Sequence, residues 1–502
     1  MSTDQGAYKY MNRSIIKFVL GHVLMTEALL MLLPCAVALF YGEKVGVYYL
    51  AVAAVALGIG ALATRKKPKN TVFYLKEGAL STALSWIVLS FFGCLPFWLS
   101  GEIPKFTDAL FETVSGFTTT GASILSDVEH LSHAALFWRS FTHWIGGMGV
   151  LVFLLAIIPL SSGGSNMNLM KAESPGPSVG KLVPKIKATA RILYLIYLGI
   201  TVLEFILLLF GRMSIFESLC TAFGTAGTGG FGFKNDSFAS FSPYIQWVVT
   251  IFMILFGVNF NCYYFLLFRQ FKKAFTMEEV RTYFIIIFIS VAVIFANILD
   301  MTAGIADALR QSSFQVASII TTTGFSTVDF NMWPSLSKAL LVLIMFVGAC
   351  AGSTGGGMKV SRFIILFKSV RKELNSYIHP KSIQKIKMDK KPVEHEVVRA
   401  TNAYVVAYLI VYVISLVIIA LEGRDLITTF TSVAATINNI GPGLELVGPA
   451  SNFGFFSIPS KLVLMFDMLA GRLEIFPMLL IFYPGAWKDL CCRRKEKQVK
   501  AE

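Results

Sequence analysis

Ten stretches of this chain carry almost no charge, and each is close to the length needed to cross the hydrocarbon core of a bilayer, roughly 20 residues. They fall at 15–41, 45–64, 79–100, 134–160, 189–211, 243–269, 280–300, 335–370, 398–421 and 461–484, the eighth being interrupted. Stretches of that length span lipid only as helices, which satisfy their own backbone hydrogen bonds. Composition agrees: of 502 residues, 55% are hydrophobic and 15% charged, against about 25% charged in a soluble protein. The first run begins near Ile15 and is long, with no small-residue cleavage site after it, so it is expected to be retained as a helix rather than removed as a signal peptide.

The net charge of +14 would suit a nucleic-acid binder if the basic residues formed one patch. They cluster instead in alternate connections between apolar runs, so lipid is the expected partner and nucleic acid is not. Arg65, Lys66, Lys67, Lys69 and Lys76 follow the second run, and Lys171, Lys181, Lys185, Lys187 and Arg191 follow the fourth. Arg269, Lys272, Lys273 and Arg281 follow the sixth. Lys368, Arg371, Lys372, Lys381, Lys385, Lys387, Lys390 and Lys391 follow the eighth, and Arg493, Arg494, Lys495 and Lys497 end the chain. An even number of spans with both termini cytosolic accommodates every cluster. Seven cysteines lack ligand-like spacing and are expected to be apolar fillers or reduced thiols, and six histidines form no metal pattern.

The connections poor in Lys and Arg hold the functional signal. Each is apolar, too short to span, and ends in Thr, Asn and Gly. One runs from Asp108 to Gly121, one from Ser214 to Gly230, one from Asp307 to Gly324 and one from Asp425 to Gly443. Each opens on Asp or Ser, expected to cap a short helix, and lies between two spanning runs. The chain is therefore expected to be an all-α membrane protein. Its four pseudo-repeats of helix, pore half-helix, filter loop and helix surround one pore, after two extra N-terminal helices. The expected divisions are 1–70 for those two helices, 71–170, 171–275, 276–392 and 393–490 for the repeats, and 491–502 for a basic cytosolic tail. Irregular backbone survives at membrane depth only when buried in protein or lining water. Four such loops on one axis would surround a dehydrated cation with carbonyls, and the half-helices would aim their negative ends at it. Glycine and threonine also serve helix packing, but four loops in register exceed what packing needs.

Four motifs in order resemble the Trk/Ktr/HKT family of K⁺ transporters: Ser115-Gly-Phe-Thr-Thr-Thr-Gly-Ala, Thr321-Thr-Thr-Gly-Phe-Ser-Thr, Ala351-Gly-Ser-Thr-Gly-Gly-Gly-Met-Lys and Asn438-Asn-Ile-Gly-Pro-Gly. Trp144-Ile-Gly-Gly-Met-Gly agrees, and the two extra helices resemble the TrkH branch. The resemblance implies one filter glycine per repeat: Gly121, Gly230, Gly324 and Gly441, with Gly229 the alternative for the second. The K⁺-lining positions would be Thr119, Thr120 and Gly121; Thr228, Gly229 and Gly230; Thr322, Thr323 and Gly324; and Asn439, Ile440 and Gly441. It also implies K⁺ as the transported ion, a homodimer with one pore per subunit, and cytosolic TrkA-like regulatory subunits that bind nucleotide. The inner, cytoplasmic membrane is the expected location.

Two further features stand beside the filter. The run Gly348–Lys359 fails the phosphate-loop pattern, because Met358 stands where Lys is required. It is expected to be an intramembrane loop under the filter, with Gly352, Ser353, Thr354, Gly355, Gly356, Gly357 and Lys359 as gate residues. A run so rich in glycine holds a helix weakly and suits a two-state element. Arg472 lies mid-helix, where a charge is costly and usually faces water. It is expected to face the pore as a barrier, the alternative being a structural ion pair. Glu204 is also intramembrane and has no assigned role. A membrane enzyme would need an acid–base pair, a metal cluster or a nucleophile elbow, and none is legible. A non-conducting receptor would not need four filter loops. The sequence leaves passive flow, K⁺/H⁺ symport and K⁺/Na⁺ symport open.

Overall fold

The computed structural model describes residues 12–68, 75–149, 186–382 and 384–487. The expectations placed on 150–160, on Lys69, Lys171, Lys181 and Lys185, on the divisions at 70 and 170, and on the 491–502 tail lie outside the described residues.

The first apolar run is α1 (Arg13–Leu30) and α2 (Leu32–Tyr41), divided at Met31, and α3 (Gly46–Thr64) returns along it. Gly21 on α1 and Gly60 on α3 bring the two backbones together, since a Cβ at Gly60 would strike the carbonyl oxygen of Gly21. Four sets of helices follow. The first is α4 (Leu75–Ser100), the short α5 (Phe106–Phe117) and α6 (His133–Met148). The second is α7 (Ile186–Phe210), short α8 (Ile215–Gly227) and α9 (Pro243–Phe256), followed by α10 (Phe260–Leu267) and α11 (Phe271–Thr276). The third is α12 (Glu278–Ile298), short α13 (Ile305–Ile320), α14 (Ser335–Val347) and α15 (Val360–Ile378). The fourth is α16 (His395–Ala420), short α17 (Leu426–Ile437), α18 (Ile458–Arg472), α19 (Phe476–Phe482) and α20 (Pro484–Trp487). A two-stranded antiparallel hairpin, β1 (Lys387–Met388) with β2 (Lys391–Pro392), interrupts the helices after α15. Among the described residues six helical segments are long and apolar enough to cross a membrane, or seven if the bent pair α9–α10 is one span.

Among the described residues, the second long helix of the second, third and fourth sets breaks. The sequence reads 243–269 as one helix, yet α9 and α10 meet at 92° around Gly257, Val258 and Asn259. It also reads 461–484 as continuous, placing Arg472 mid-helix. In the structure α18 ends at Arg472, because Glu474 (φ +55°) and Ile475 (φ +67°) turn left-handed and stop it. The expected interruption of 335–370 is present between α14 and α15.

Capping was legible in part. Ser214 caps α8 through a reciprocal pair of hydrogen bonds with Glu217, and Asp425 caps α17 by accepting from Thr428 N–H at 2.8 Å. Asp108 and Asp307 are not caps. They sit in the first turns of α5 and α13, where a carboxylate still favours the positive end of the helix. Asp108 is also drawn to Lys461 Nζ at 2.7 Å on α18.

Each second helix packs on the short helix of the following set: α6 on α8, α9 on α13, α14 on α17, and α18 back on α5. The contacts thus close a circle. Glycines permit the first of these approaches, since a Cβ at Gly227 of α8 would strike His143 O of α6 and one at Gly147 of α6 would crowd Gly227.

Candidate functional site

The circle of helices brings the four glycine-ended loops to one place. After each short helix the backbone turns left-handed twice, with one residue between: Thr119 (φ +56°) and Gly121 (+79°), Thr228 (+52°) and Gly230 (+84°), Thr322 (+60°) and Gly324 (+86°), Asn439 (+55°) and Gly441 (+97°). The alternation turns successive carbonyls toward the same side, and the last position of each suits glycine. In the second loop Gly230 has the positive φ of its three counterparts and Gly229 does not.

The loops touch in cyclic order. A Cβ at Gly121 would collide with Gly229 O, one at Gly230 with Thr323 O, one at Gly324 with Ile440 O, and one at Gly441 would crowd Thr120 O. All four glycines therefore face a neighbouring carbonyl at closest approach. Side-chain hydroxyls hold the first and third loops. Thr120 and Thr118 share a hydrogen bond of 2.8 Å, and Thr118 donates to Val114 O at 2.6 Å. Thr323 and Thr321 repeat it at 2.7 Å, with Thr321 donating to Ala317 O at 2.6 Å. Asn439 ties the fourth loop to the first, donating to Thr120 Oγ1 at 2.9 Å.

On one side of the ring a cleft opens between the loop exits, lined by Ser123, Arg139, Asn235, Ser326 and Asn452 among others. Its walls rest on a buried ion pair that the sequence did not reveal. Arg139 of α6 donates through Nε and Nη2 to Glu112 Oε1 of α5 at 2.9 and 2.7 Å. Glu112 also accepts from Ser123 Oγ and Ile124 N–H, which fixes the first loop as it leaves the ring. Asp127, on the same rim, is held below the usual carboxylate range by the Asn235 amide at 2.8 Å and then by Glu129 N–H.

On the opposite side lies the segment between α14 and α15. Gly356 N–H donates to Thr322 Oγ1 at 2.6 Å, and a Cβ at Gly356 would meet Asn438 O and Asn439. Glycines 355 and 356 are therefore packed directly under the ring. The segment is not loose. Cys350 N–H donates to Gly257 O at 3.1 Å and Phe260 N–H to Gly352 O at 3.0 Å, joining it to the break between α9 and α10. Glu279 of α12, buried, accepts from Ala351 N–H at 2.7 Å, Ser361 N–H at 3.2 Å and Asn259 Nδ2 at 3.1 Å. Three donors converge on this carboxylate, so it clasps both ends of the segment. Lys359 turns back and donates to Gly355 O and Gly356 O.

Arg472 reaches into the same place. It donates to Thr354 O at 2.7 Å and Gly147 O at 2.8 Å, and also to Gly146 O, so it bridges the segment to the end of α6. Glu474 pairs instead with Arg362, whose guanidinium stacks 3.9 Å over Tyr404. The sequence singled out Arg472, Lys359 and the glycines but missed Glu279, Glu112, Arg139 and His143. Helical position gives no sign of which distant backbone groups such side chains meet. Glu204 is fully buried on α7, with the Thr225 side chain of α8 beside it.

Comparison with known proteins agrees with this architecture. The TrkH family model, described as a cation transport protein, matches residues 48–487. The Trk system potassium uptake protein TrkH of Salmonella typhimurium (strain LT2) is 38% identical over 471 residues, 91% of this chain and 96% of its own. The Trk system potassium uptake protein TrkG of Escherichia coli (strain K12) is 33% identical over 483 residues, 95% of this chain and 99% of its own. The crystal structure of the potassium transporter TrkH from Vibrio parahaemolyticus matches with a TM-score of 0.84 at 33% identity, covering 95% of this chain and all of that one. These are transport proteins rather than enzymes, and the chain belongs to the TrkH family of membrane cation transport proteins.

Proposed function

We propose that this protein takes up K⁺ across the cytoplasmic membrane through the ring of four loops, and that the segment from Gly348 to Lys359 gates the path from the cytosolic side. The observation that carries the proposal is the cyclic contact of Gly121, Gly230, Gly324 and Gly441, each with a carbonyl of the neighbouring loop. Four loops so joined present backbone oxygens to one axis, which suits a dehydrated monovalent cation. The helical sets then act as four pseudo-repeats around one pore, in about ten spans, with both termini in the cytosol, a placement the basic clusters support. Relatives named for potassium uptake support K⁺ as the cargo.

The segment under the ring closes the path by occupying it. Arg472 adds a fixed positive charge there, which opposes an entering cation in a low-dielectric setting. A homodimer, with TrkA-like nucleotide-binding subunits acting on the basic surface from Lys359 to Lys391, completes the assembly. K⁺ and Na⁺ flux into proteoliposomes, with and without a pH gradient, tests the reading and separates passive flow from symport. Gly121→Ser adds a Cβ where Gly229 O already lies. K⁺ preference over Na⁺ should fall in that variant, and an unchanged ratio would remove the filter assignment.

A further inference from the structure

The second loop lacks what holds its neighbours. In the first and third loops a threonine pair braces the turn, Thr118 with Thr120 and Thr321 with Thr323. In the second the same two positions are Gly227 and Gly229, which have no side chain to form a brace. Both glycines are forced by one neighbour. A Cβ at Gly227 would collide with the backbone of His143, and a Cβ at Gly229 would collide with its imidazole ring.

His143 is fully buried on α6, and both ring nitrogens are used. Nδ1 lies 2.7 Å from Gly116 O, and Nε2 lies 3.2 Å from Phe231 N. A carbonyl can only accept and a backbone N–H can only donate. The proton is therefore on Nδ1, and the imidazole is neutral. The ring joins the first short helix to the residue directly after Gly230. Phe231 contacts two residues of α6, with the His143 ring 4.3 Å away and the Arg139 guanidinium 4.1 Å from its ring centroid. Arg139 also donates to Gly232 O at 3.0 Å.

This arrangement is peculiar to one quarter of the ring. Counting from the N-cap of each second helix (Ser132, Ser242, Pro334 and Ser457), the seventh residue on is Arg139, Val249, Leu341 and Leu464. The eleventh is His143, Met253, Met345 and Met468. The six residues from the other three helices are buried and apolar, so at these two positions their side chains offer the ring only packing. Only α6 offers a polar pair at these positions, and it offers it to the loop with glycine at both brace positions.

We propose that His143 is the positioning residue of the second filter loop, supplying from α6 the hydrogen bond that the threonine pairs supply within the first and third loops. The inference rests on the ring being the filter. It assigns His143 to selectivity and leaves the ion path itself to backbone carbonyls. The test is the K⁺/Na⁺ flux ratio of the full-length protein in proteoliposomes. His143→Met installs the residue found at this place in the other three helices. It leaves Phe231 N–H without its acceptor, and the ratio should fall by about 5-fold or more. His143→Gln retains one donor and one acceptor and should recover most of the ratio, which a purely space-filling role would not predict. Gly121→Ser is run alongside. If it changes the ratio and His143→Met does not, His143 positions nothing, while the filter reading stands. If neither changes the ratio, the filter reading itself has failed. If His143→Met does not fold, Gly229→Ala presses on the same ring from the filter side. It should lower the ratio too, and an unchanged ratio there overturns the proposal.

Discussion

Two stretches of irregular, glycine-rich backbone lie at the centre of this molecule, and they are held in different ways. The ring is held largely by itself. Its four glycines face carbonyls of adjacent loops, and its hydroxyls and amides bond mostly within the ring or to the short helices behind it, with Phe231 N–H tied to His143 of α6 and Asn439 to Met468 O of α18. The 348–359 segment is held by remote groups: Glu279 from α12, Arg472 from α18, the broken backbone at Gly257 and one hydroxyl of the ring, Thr322. A structure whose parts fix one another keeps a single geometry, as a selective site needs. A structure pinned at a few points from outside can be released when one pin moves, as a gate needs. Glycine content does not distinguish the two; the source of the hydrogen-bond partners does.

Four variants would break or sharpen this contrast. The largest effect is expected on the ring side. Glu112→Ala leaves Arg139 as a buried charge without its partner, at a cost of roughly 3–5 kcal/mol. Thermal unfolding in detergent should show a large fall in melting temperature, and a protein of parental stability would mean that the ion pair does not hold the first loop. Next comes deletion of Ser353 to Gly356, which removes the glycines packed under the ring. K⁺ flux should rise and become less dependent on regulatory subunits, with the K⁺/Na⁺ ratio preserved. Parental flux with undiminished regulation would show that the segment is not the gate.

Arg472→Ala is expected to act in the same direction but less strongly. It removes the bonds to Thr354 O and Gly147 O, worth roughly 2–3 kcal/mol together, and removes a positive charge from the path. Flux should increase with little change in ratio, whereas a changed ratio with unchanged flux would place Arg472 with the ring. Glu279→Gln is the mildest. The amide can still accept, but it loses the charge that strengthens its bonds to Ala351 and Ser361, a change of roughly 1–2 kcal/mol. A modest rise in flux is expected, read in the same proteoliposome assay. A fall would mean that the carboxylate holds the open form instead.

Much of the fold was legible because spanning helices are written in the local chain. The apolar runs at 45–64, 280–300 and 398–421 lie within a few residues of α3, α12 and α16. The break at 348–359 was visible because five glycines crowd it. The breaks after α9 and α18 were not. Only Gly257 and Asn259 mark the first, and the left-handed turn at Glu474 and Ile475 uses residues that rarely adopt it. The candidate site divided along the same line. Gly121, Gly324 and Gly441 could be named from motif, while choosing Gly230 over Gly229 on geometry required its backbone angle.

The sequence by itself determined that the chain crosses a membrane many times, that four short helices end in glycine turns, and that a fifth glycine-rich segment follows the third. Those are properties of neighbouring residues, set by hydropathy and by the φ values that glycine permits. The tertiary structure alone decided that Glu112 meets Arg139, that Glu279 clasps the 348–359 segment, and that His143 occupies the space left by Gly227 and Gly229. Each of these joins residues from separate helices whose side chains satisfy backbone or charged groups shielded from water. Which helix supplies the partner depends on how the helices close their circle, and only the folded arrangement contains that information.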